Sequence, residues 1–348
     1  MRKPKSLRQN RVDRTDLIKG LKSPGKAVGF AIIVAAGTAL TPSNGWTAAA
    51  PKLDIAFVVA DSADPFYLTM KCGAMKAAEE MNVNLSWQGS TSVDYAPEMS
   101  VLHAVELKKP EGIVLAPFSP IAFIAPVKAL MAAGTPVVTV DGNLAEKVEL
   151  ENIHTNNSGA GASAADMLGE ALHGKGTVGV ITFQPGIPVE VARVNGFVEE
   201  MHKKFPGVKV LPTQYGGADA GKSATITSGL LASHPDIAGI YATDTNDAEG
   251  AASAVRAAGD SAKVKVVAYD AAPEEVKALR SGLFTALVAQ EPYQEGYRAV
   301  TLLAKYLRHE ITKKDIPYLY QTGAVVVTKA NVDSPTVAHT VLYESTCS

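Results

Sequence analysis

The sequence predicts an α/β protein of two doubly wound parallel-sheet lobes that face each other across a cleft, and three observations predict it. From Leu53 onward, short β-branched runs alternate with segments of helical apolar period, as parallel strands do when helices cover both faces of their sheet. The strand candidates number ten, which is many for one open sheet and suits two sheets of about five. The chain also repeats itself loosely. Gly112 to Pro117 precedes a helix and then a strand ending at Asp141, and Gly239 to Asp244 precedes a helix and then a strand ending at Asp270.

Before this pattern starts, nine Lys and Arg lie within residues 2–26, an uncharged run spans Ala27 to Leu40, and Thr47-Ala48-Ala49-Ala50-Pro51 follows. A basic start, a short apolar stretch and small residues at a cut point make a secretory signal, so residues 1–49 are expected to be removed after Ala49. The apolar stretch is too short to span a bilayer comfortably, and no cysteine stands at the cut to carry a lipid. Removal takes away nine basic and two acidic residues, leaving 24 Lys/Arg against 33 Asp/Glu, a net charge of −9 in place of −2. Such a balance disfavours nucleic acid and anionic membranes as partners.

The expected strands of the first lobe are 53–60, 84–89, 112–117, 136–141 and 151–155; those of the second are 176–183, 208–214, 237–244, 264–270 and 284–290. Runs such as Val137-Val138-Thr139-Val140 read as strands buried on both faces. The run 208–214 contains Pro212 and polar residues, which places it at a sheet edge. Helical periodicity marks 66–81, 95–108, 120–132, 158–172, 188–204, 220–233, 246–258 and 292–308. Cys72, in the first of these helices, and Cys347, near the chain end, are the only cysteines. An even count in an oxidising compartment points to a disulfide; the alternative is a buried thiol in a helix and an incidental one in the tail.

Three strand candidates end on aspartate: Asp141, Asp244 and Asp270. Ligands of open parallel sheets bind beyond the carboxyl ends of the strands, so these carboxylates face a binding crevice, and clefts between lobes are preferred small-molecule sites. Carboxylates accept strong hydrogen bonds from hydroxyls. Phe66 and Tyr67 beside Asp64 offer ring faces for the C–H surface of a sugar, and Arg193, Asn246 and Gln290 offer donors that carboxylates lack. Each has a structural reading too. Asp64 before Pro65 suits a helix N-cap, as does Asp270 before Ala271-Ala272-Pro273.

Gly216-Gly217-Ala218-Asp219-Ala220-Gly221-Lys222-Ser223 matches the phosphate-loop pattern. Its preceding strand is of edge type, so the glycines are read as a turn before a helix capped near Asp219. No His-x-x-x-His, Cys-x-x-Cys or Gly-x-Ser-x-Gly spacing occurs, and no cofactor or metal is expected. Asp244 and Asp270 as a glycosidase acid/base pair is the remaining enzymatic alternative.

Taken together, Ile55 to Val59, Asp64-Pro65-Phe66-Tyr67, Asp141-Gly142, Arg193 ahead of Gly196-Phe197, Asp244, Asp270 and Gln290 resemble, in order and spacing, the ribose-binding-protein family of type 1 periplasmic binding proteins, the exported substrate-binding components of ABC sugar importers. The resemblance covers roughly residues 53–330. Where the family has asparagine this chain has Asp64 and Asp244, and where the family has arginine after its fourth strand this chain has Gly142. The aromatic that closes over ribose from the second lobe falls near Ala218, so that wall is missing or supplied elsewhere. The resemblance implies a ligand set of Asp64, Phe66, Tyr67, Asp141, Arg193, Asp244, Asn246, Asp270 and Gln290. It implies a neutral monosaccharide or polyol, membrane permease subunits as partners, a monomer in the periplasm, and no catalysis. A sensor that presents the sugar to a chemoreceptor or signalling receptor is the alternative. The implied lobes are 52–155 with 291–321, and 156–290 with 322–335, joined by a hinge of several crossings. The tail 336–348 returns to the first lobe if Cys347 reaches Cys72, as a strap stabilising typically by ~2–4 kcal/mol.

Overall fold

A computed structural model describes residues 51–348 except 93, 341, 344, 345 and 348; the expected export signal lies outside the described residues. In chain order the elements are β1 (Leu53–Val59), α1 (Pro65–Glu80), β2 (Val83–Gly89), α2 (Tyr95–Glu106), β3 (Gly112–Leu115), α3 (Ile124–Ala132), β4 (Val137–Val140) and β5 (Asn152–Thr155). There follow α4 (Asn157–Ala171), β6 (Gly176–Thr182), α5 (Pro188–Lys204), β7 (Val208–Val210), β8 (Gln214–Tyr215), α6 (Ala220–Ser233), β9 (Ile237–Ala242), α7 (Thr245–Ala257) and β10 (Lys265–Tyr269). The last are α8 (Pro273–Ser281), β11 (Ala286–Gln290), α9 (Pro292–Leu307), a 3-10 turn at Lys313–Asp315, β12 (Leu319–Thr322), β13 (Ala324–Val327) and α10 (Pro335–Thr340).

These strands form two sheets with one winding. The first runs β12-β5-β4-β3-β1-β2, every pair parallel. The second runs β13-β11-β10-β9-β6-β7, parallel except that β13 is antiparallel to β11, with β8 beside β6. Both sheets reverse direction beside their first strand, and that is where such sheets bind ligands. Side chains of successive strand residues face opposite sides, and the cores divide accordingly. Ile55, Phe57 and Val59 of β1 pack under one set of helices while Ala56 and Val58 pack under the other. In β10, Val266 and Ala268 separate in the same way from Val267 and Tyr269. The β-branched runs are strands because both of their faces are covered.

The 3-10 turn, α10, β12 and α8 were not foreseen. β12 is a mostly exposed Leu-Tyr-Gln-Thr edge strand with no apolar run to mark it. α8 is short, with an acidic first turn and a Gly282 C-cap at φ 89°, beside the point where only a cap at Asp270 was considered. The expected strand 208–214 breaks into β7 and β8 around Pro212, and β7 is a sheet edge.

The chain passes between the sheets at three places: between β5 and α4, between β11 and α9, and between β12 and β13. Side chains tie these crossings together. Thr155 donates to Gln290 Oε1 at 2.8 Å and to Glu295 Oε1 at 3.1 Å, and Thr322 donates to the same Glu295 oxygen at 3.0 Å. Beyond β13, Val337 of α10 packs in the second lobe, whereas Tyr343 belongs to the core of the first. Cys347 is disulfide-bonded to Cys72 on α1. Among the described residues, no helix is long and apolar enough to cross a membrane.

Candidate functional site

The carboxyl ends of both sheets open onto one cleft, and all nine residues expected of the ligand set line it: Asp64, Phe66, Tyr67, Asp141, Arg193, Asp244, Asn246, Asp270 and Gln290. They arrive there from several elements of both lobes. Asp141 follows β4 and Asp270 follows β10, the fourth strand of each winding. Both adopt left-handed backbone, at φ 58° and 80°, which aspartate tolerates better than most residues. Both amides bond to the neighbouring strand, Asp141 to Ile153 O and Asp270 to Val288 O, each at 2.9 Å. The two positions are topological equivalents.

The three strand-end aspartates do not share one role. Asp244 is the N-cap of α7, its Oδ1 accepting from the Asp247 amide at 2.9 Å. Asp64 likewise caps α1 by accepting from the Phe66 amide at 2.8 Å. Asp141 and Asp270 cap nothing; the N-cap of α8 is Ala272, whose amide is bound by Glu275. Asp141 Oδ2 accepts from the Tyr67 hydroxyl at 2.9 Å. Asp270 Oδ1 accepts from Gln290 Nε2 at 2.7 Å and from the Tyr343 hydroxyl at 2.8 Å. In Asp64, Asp141 and Asp270, therefore, one carboxylate oxygen is engaged and the other accepts no hydrogen bond from the described residues.

Arg193 sits on α5, almost fully buried. Gly161 and Gly196 let α4 and α5 touch backbone to backbone. A Cβ at Gly196 would lie 2.0 Å from Ser158 O, and one at Gly161 would lie 2.1 Å from Arg193 O. The contact brings Arg193 Nε to Asn157 Oδ1 at 2.8 Å, while Nη1 reaches Glu190 Oε1 and Thr243 O, also at 2.8 Å. The guanidinium lies 3.9 Å from the Tyr269 ring centroid, a cation–π geometry. Nη2 is the nitrogen that makes no hydrogen bond with the described residues. Glu190, unforeseen, neutralises this buried cation and also accepts from Thr182 and Thr243. Its spacing of three residues from Arg193 on one helix was the available signal.

Electrostatics follow from burial among several carboxyls. Burial first, then the charges of Asp270, Asp61 and Asp141, raise Asp64 to about 7 against the pull of the Phe66 amide. Burial raises Asp141 to about 6, with Arg193 and Tyr67 opposing. Asp244 is pushed well above the carboxylate range by burial and by its hydrogen bond and charge contact with Asp247.

The phosphate-loop match resolves as a turn. The amides of Gly216 and Gly217 are taken by Thr182 O and Phe183 O at 2.8 and 2.9 Å, so they are not free to wrap a phosphate. Asp219 caps α6, accepting from the Lys222 amide at 2.9 Å. A Cβ at Gly216 would lie 2.0 Å from Asp247 Oδ1, which explains the glycine. At Gly142 a Cβ would lie 2.3 Å from Pro117 O, so the arginine of the resembled family has no room here without a backbone shift. Near Ala218 there is no ring, but Phe118 of the first lobe and Phe183 of the second also line the cleft and meet edge to face at 5.5 Å. Phe183 ended a predicted strand and was legible by the same strand-end rule as the aspartates.

A two-lobed α/β fold with one lined cleft at its opposed strand ends defines a binding protein of the Venus-flytrap class. The chain belongs to the periplasmic binding protein domain family, which it matches over residues 55–311. It is 29% identical over 270 residues to the D-allose-binding periplasmic protein of Escherichia coli strain K12, covering 74% of this chain and 85% of that one. It is 29% identical over 265 residues to the ribose import binding protein RbsB of Haemophilus influenzae, covering 76% and 88%. Among solved structures, an ABC transporter solute-binding protein from Agrobacterium vitis bound with α-D-tagatopyranose shares 34% identity and superposes with a TM-score of 0.80, covering 84% of this chain and all of that one. A carbohydrate transporter solute-binding protein from Agrobacterium radiobacter in complex with D-arabinose shares 28% identity at a TM-score of 0.77, over 83% and 99%.

Proposed function

We propose that this chain is exported, cut after Ala49, and serves in the periplasm as the monomeric substrate-binding component of an ABC importer for a neutral monosaccharide or polyol. The observation that carries this reading is the trio of Asp64, Asp141 and Asp270, each with one carboxylate oxygen fixed by the protein and the other open at the same cleft. Fixed acceptors of this kind suit the hydroxyls of a polyol or sugar ring, and the rings of Phe66, Phe118 and Phe183 suit its C–H faces. Arg193 Nη2 supplies a donor for a ring or anomeric oxygen, and Asn246, at the mouth, supplies a second. The relatives bound with tagatose and arabinose, and the one named for D-allose binding, support the substrate class.

Closure rests on the crossings. The lobes are residues 52–155 with 291–322, Thr322 pairing with Thr155 in the first sheet in place of the expected second lobe, and residues 156–290 with 323–335; ligand contacts from both favour the closed form, which the permease subunits recognise. A ligand shifts that equilibrium only through higher affinity for the closed form, and contacts divided between Asp141 and Asp270 provide it. Nothing in the cleft requires bond cleavage: Asp244, one member of the glycosidase-like pair, is engaged in capping α7. The test is a thermal-shift screen of the mature protein against D-ribose, D-allose, D-tagatose, D-arabinose and linear polyols. A ligand at 100 times its Kd stabilises by about 2.7 kcal/mol. Absence of a shift with every member refutes the substrate class, and turnover of a glycoside refutes the binding-only reading.

A further inference from the structure

We propose that Tyr343, on the C-terminal tail, is a positioning residue of the sugar site: it fixes the Asp270 carboxylate for the ligand, and the Cys72–Cys347 disulfide fixes Tyr343. The proposal rests on the reading of the cleft as a sugar site. Two donors converge on Asp270 Oδ1, Gln290 Nε2 at 2.7 Å and the Tyr343 hydroxyl at 2.8 Å. Together they set the rotation of the carboxylate, so Oδ2 presents one lone-pair direction to the cleft in place of a range of them. Tyr343 is 5% exposed, so water does not substitute freely for its hydroxyl.

The first lobe supplies an internal control. At the equivalent strand end, the Tyr67 hydroxyl donates to Asp141 at 2.9 Å. Tyr67 stands on α1 of the same lobe, within a regular helix. Tyr343 gives Asp270 the same phenolic donor but belongs to no helix or strand. Its backbone amide bonds to Ala271 O at 3.1 Å in the second lobe. Its ring meets the Phe66 ring of the first lobe edge to face, with centroids 5.7 Å apart.

A chain end placed like this frays unless it is tied down. The tie lies four residues on, where Cys347 is bonded to Cys72 of α1, the helix that also carries Phe66 and Tyr67. The tail therefore leaves the second lobe at α10, places one phenol on that lobe's anchoring carboxylate, and ends covalently on the first lobe. It is a fourth connection across the cleft, and the one that contributes a hydroxyl to the site.

The test uses the mature, oxidised full chain titrated calorimetrically with D-ribose, D-allose and D-tagatose. Tyr343→Phe keeps the ring and removes the donor. A hydrogen bond to a charged group predicts a loss of about 10-fold in affinity for whichever of these sugars the wild type binds. Reduction of the disulfide, or Cys347→Ser, should weaken binding in the same direction and add little to Tyr343→Phe. Tyr343→Phe should also add little on an Asp270→Asn background, because groups acting as a unit are not additive. Equal affinity of Tyr343→Phe and wild type overturns the proposal and leaves the sugar reading standing. An equal loss with and without Asp270→Asn also overturns it, since that is the mark of general destabilisation. If reduction changes neither affinity nor the effect of Tyr343→Phe, the role given to the disulfide is overturned. A wild type that binds none of the three sugars removes the reading on which the proposal depends.

Discussion

The two lobes share a winding and furnish it differently. Asp141 and Asp270 occupy equivalent strand ends in equivalent left-handed backbone. Among the described residues Asp141 has a single donor, Tyr67, in a cleft also lined by the rings of Phe66 and Phe118. Asp270 has two donors and shares its lobe with the Arg193–Glu190 pair, whose cation is already bound by Asn157 and Thr243. The first lobe is thus largely an apolar wall with sparsely paired carboxyls, and the second is a prewired polar network. Topology sets where a carboxylate stands. Its neighbours decide whether it is neutralised, aimed or protonated.

This contrast is most exposed to paired truncations. Asp270→Ala removes a ligand acceptor and also leaves Gln290 and Tyr343 without theirs, whereas Asp141→Ala leaves only Tyr67. The expected losses of sugar affinity are about 100-fold or more for Asp270→Ala and about 10- to 30-fold for Asp141→Ala. Calorimetric titration measures them, with melting curves to check that both variants fold. Equal losses would mean that the donors on Asp270 do not matter to binding.

A pH series probes the sparsely paired lobe and the hinge. Asp64 is raised to about 7, Asp141 to about 6, Glu98 to about 8 and Glu295 to about 8, burial being the largest cause in each. In the unfolded chain such groups titrate near 4. Between roughly pH 4 and 8 the folded state therefore holds more protons, and stability from these groups falls as pH rises through that window. His154 is lowered from its ordinary value by burial and by Arg193. It acts the other way below about pH 6.5, one group against four. The ligand-free protein should melt higher at pH 5.5 than at pH 8, by several kcal/mol at most. A melting temperature that rises with pH over this range contradicts the assignment.

The smallest effect is expected where the chain departs from its resembled family. Asp244 is pushed well above the carboxylate range by burial and by Asp247, and Asp244→Asn replaces it by a near isostere that also caps helices well. Sugar affinity should change less than about threefold and stability by less than about 1 kcal/mol, read by the same titrations and melts. A large loss would mean that the Asp244 charge is used.

Much of this molecule was legible because parallel strands buried on both faces must be apolar throughout, as Val137 to Val140 are. The rule that ligands sit at strand ends then pointed Asp141, Asp244, Asp270 and Gln290 toward the cleft that all nine expected residues line. β12 escaped because an exposed edge strand carries no such run, and α8 because its helix is short and polar. At the site, Phe118, Phe183 and Glu190 obeyed rules already in use and were passed over. Tyr343 left no comparable signal, since its partner Asp270 is 73 residues away.

By itself the sequence determined the two windings, the strand ends that carry carboxylates, and the expectation that Cys72 pairs with Cys347, because burial and local backbone preference are written residue by residue. Tertiary structure alone decided how each carboxylate is used: Asp244 as the cap of α7, Asp141 bound to Tyr67, Asp270 gripped by Gln290 and a phenol from the tail. The physical reason is that the protonation and aim of a buried acid depend on donors and charges within a few ångströms. In this chain those neighbours come from helices, crossings and a tail far away in sequence.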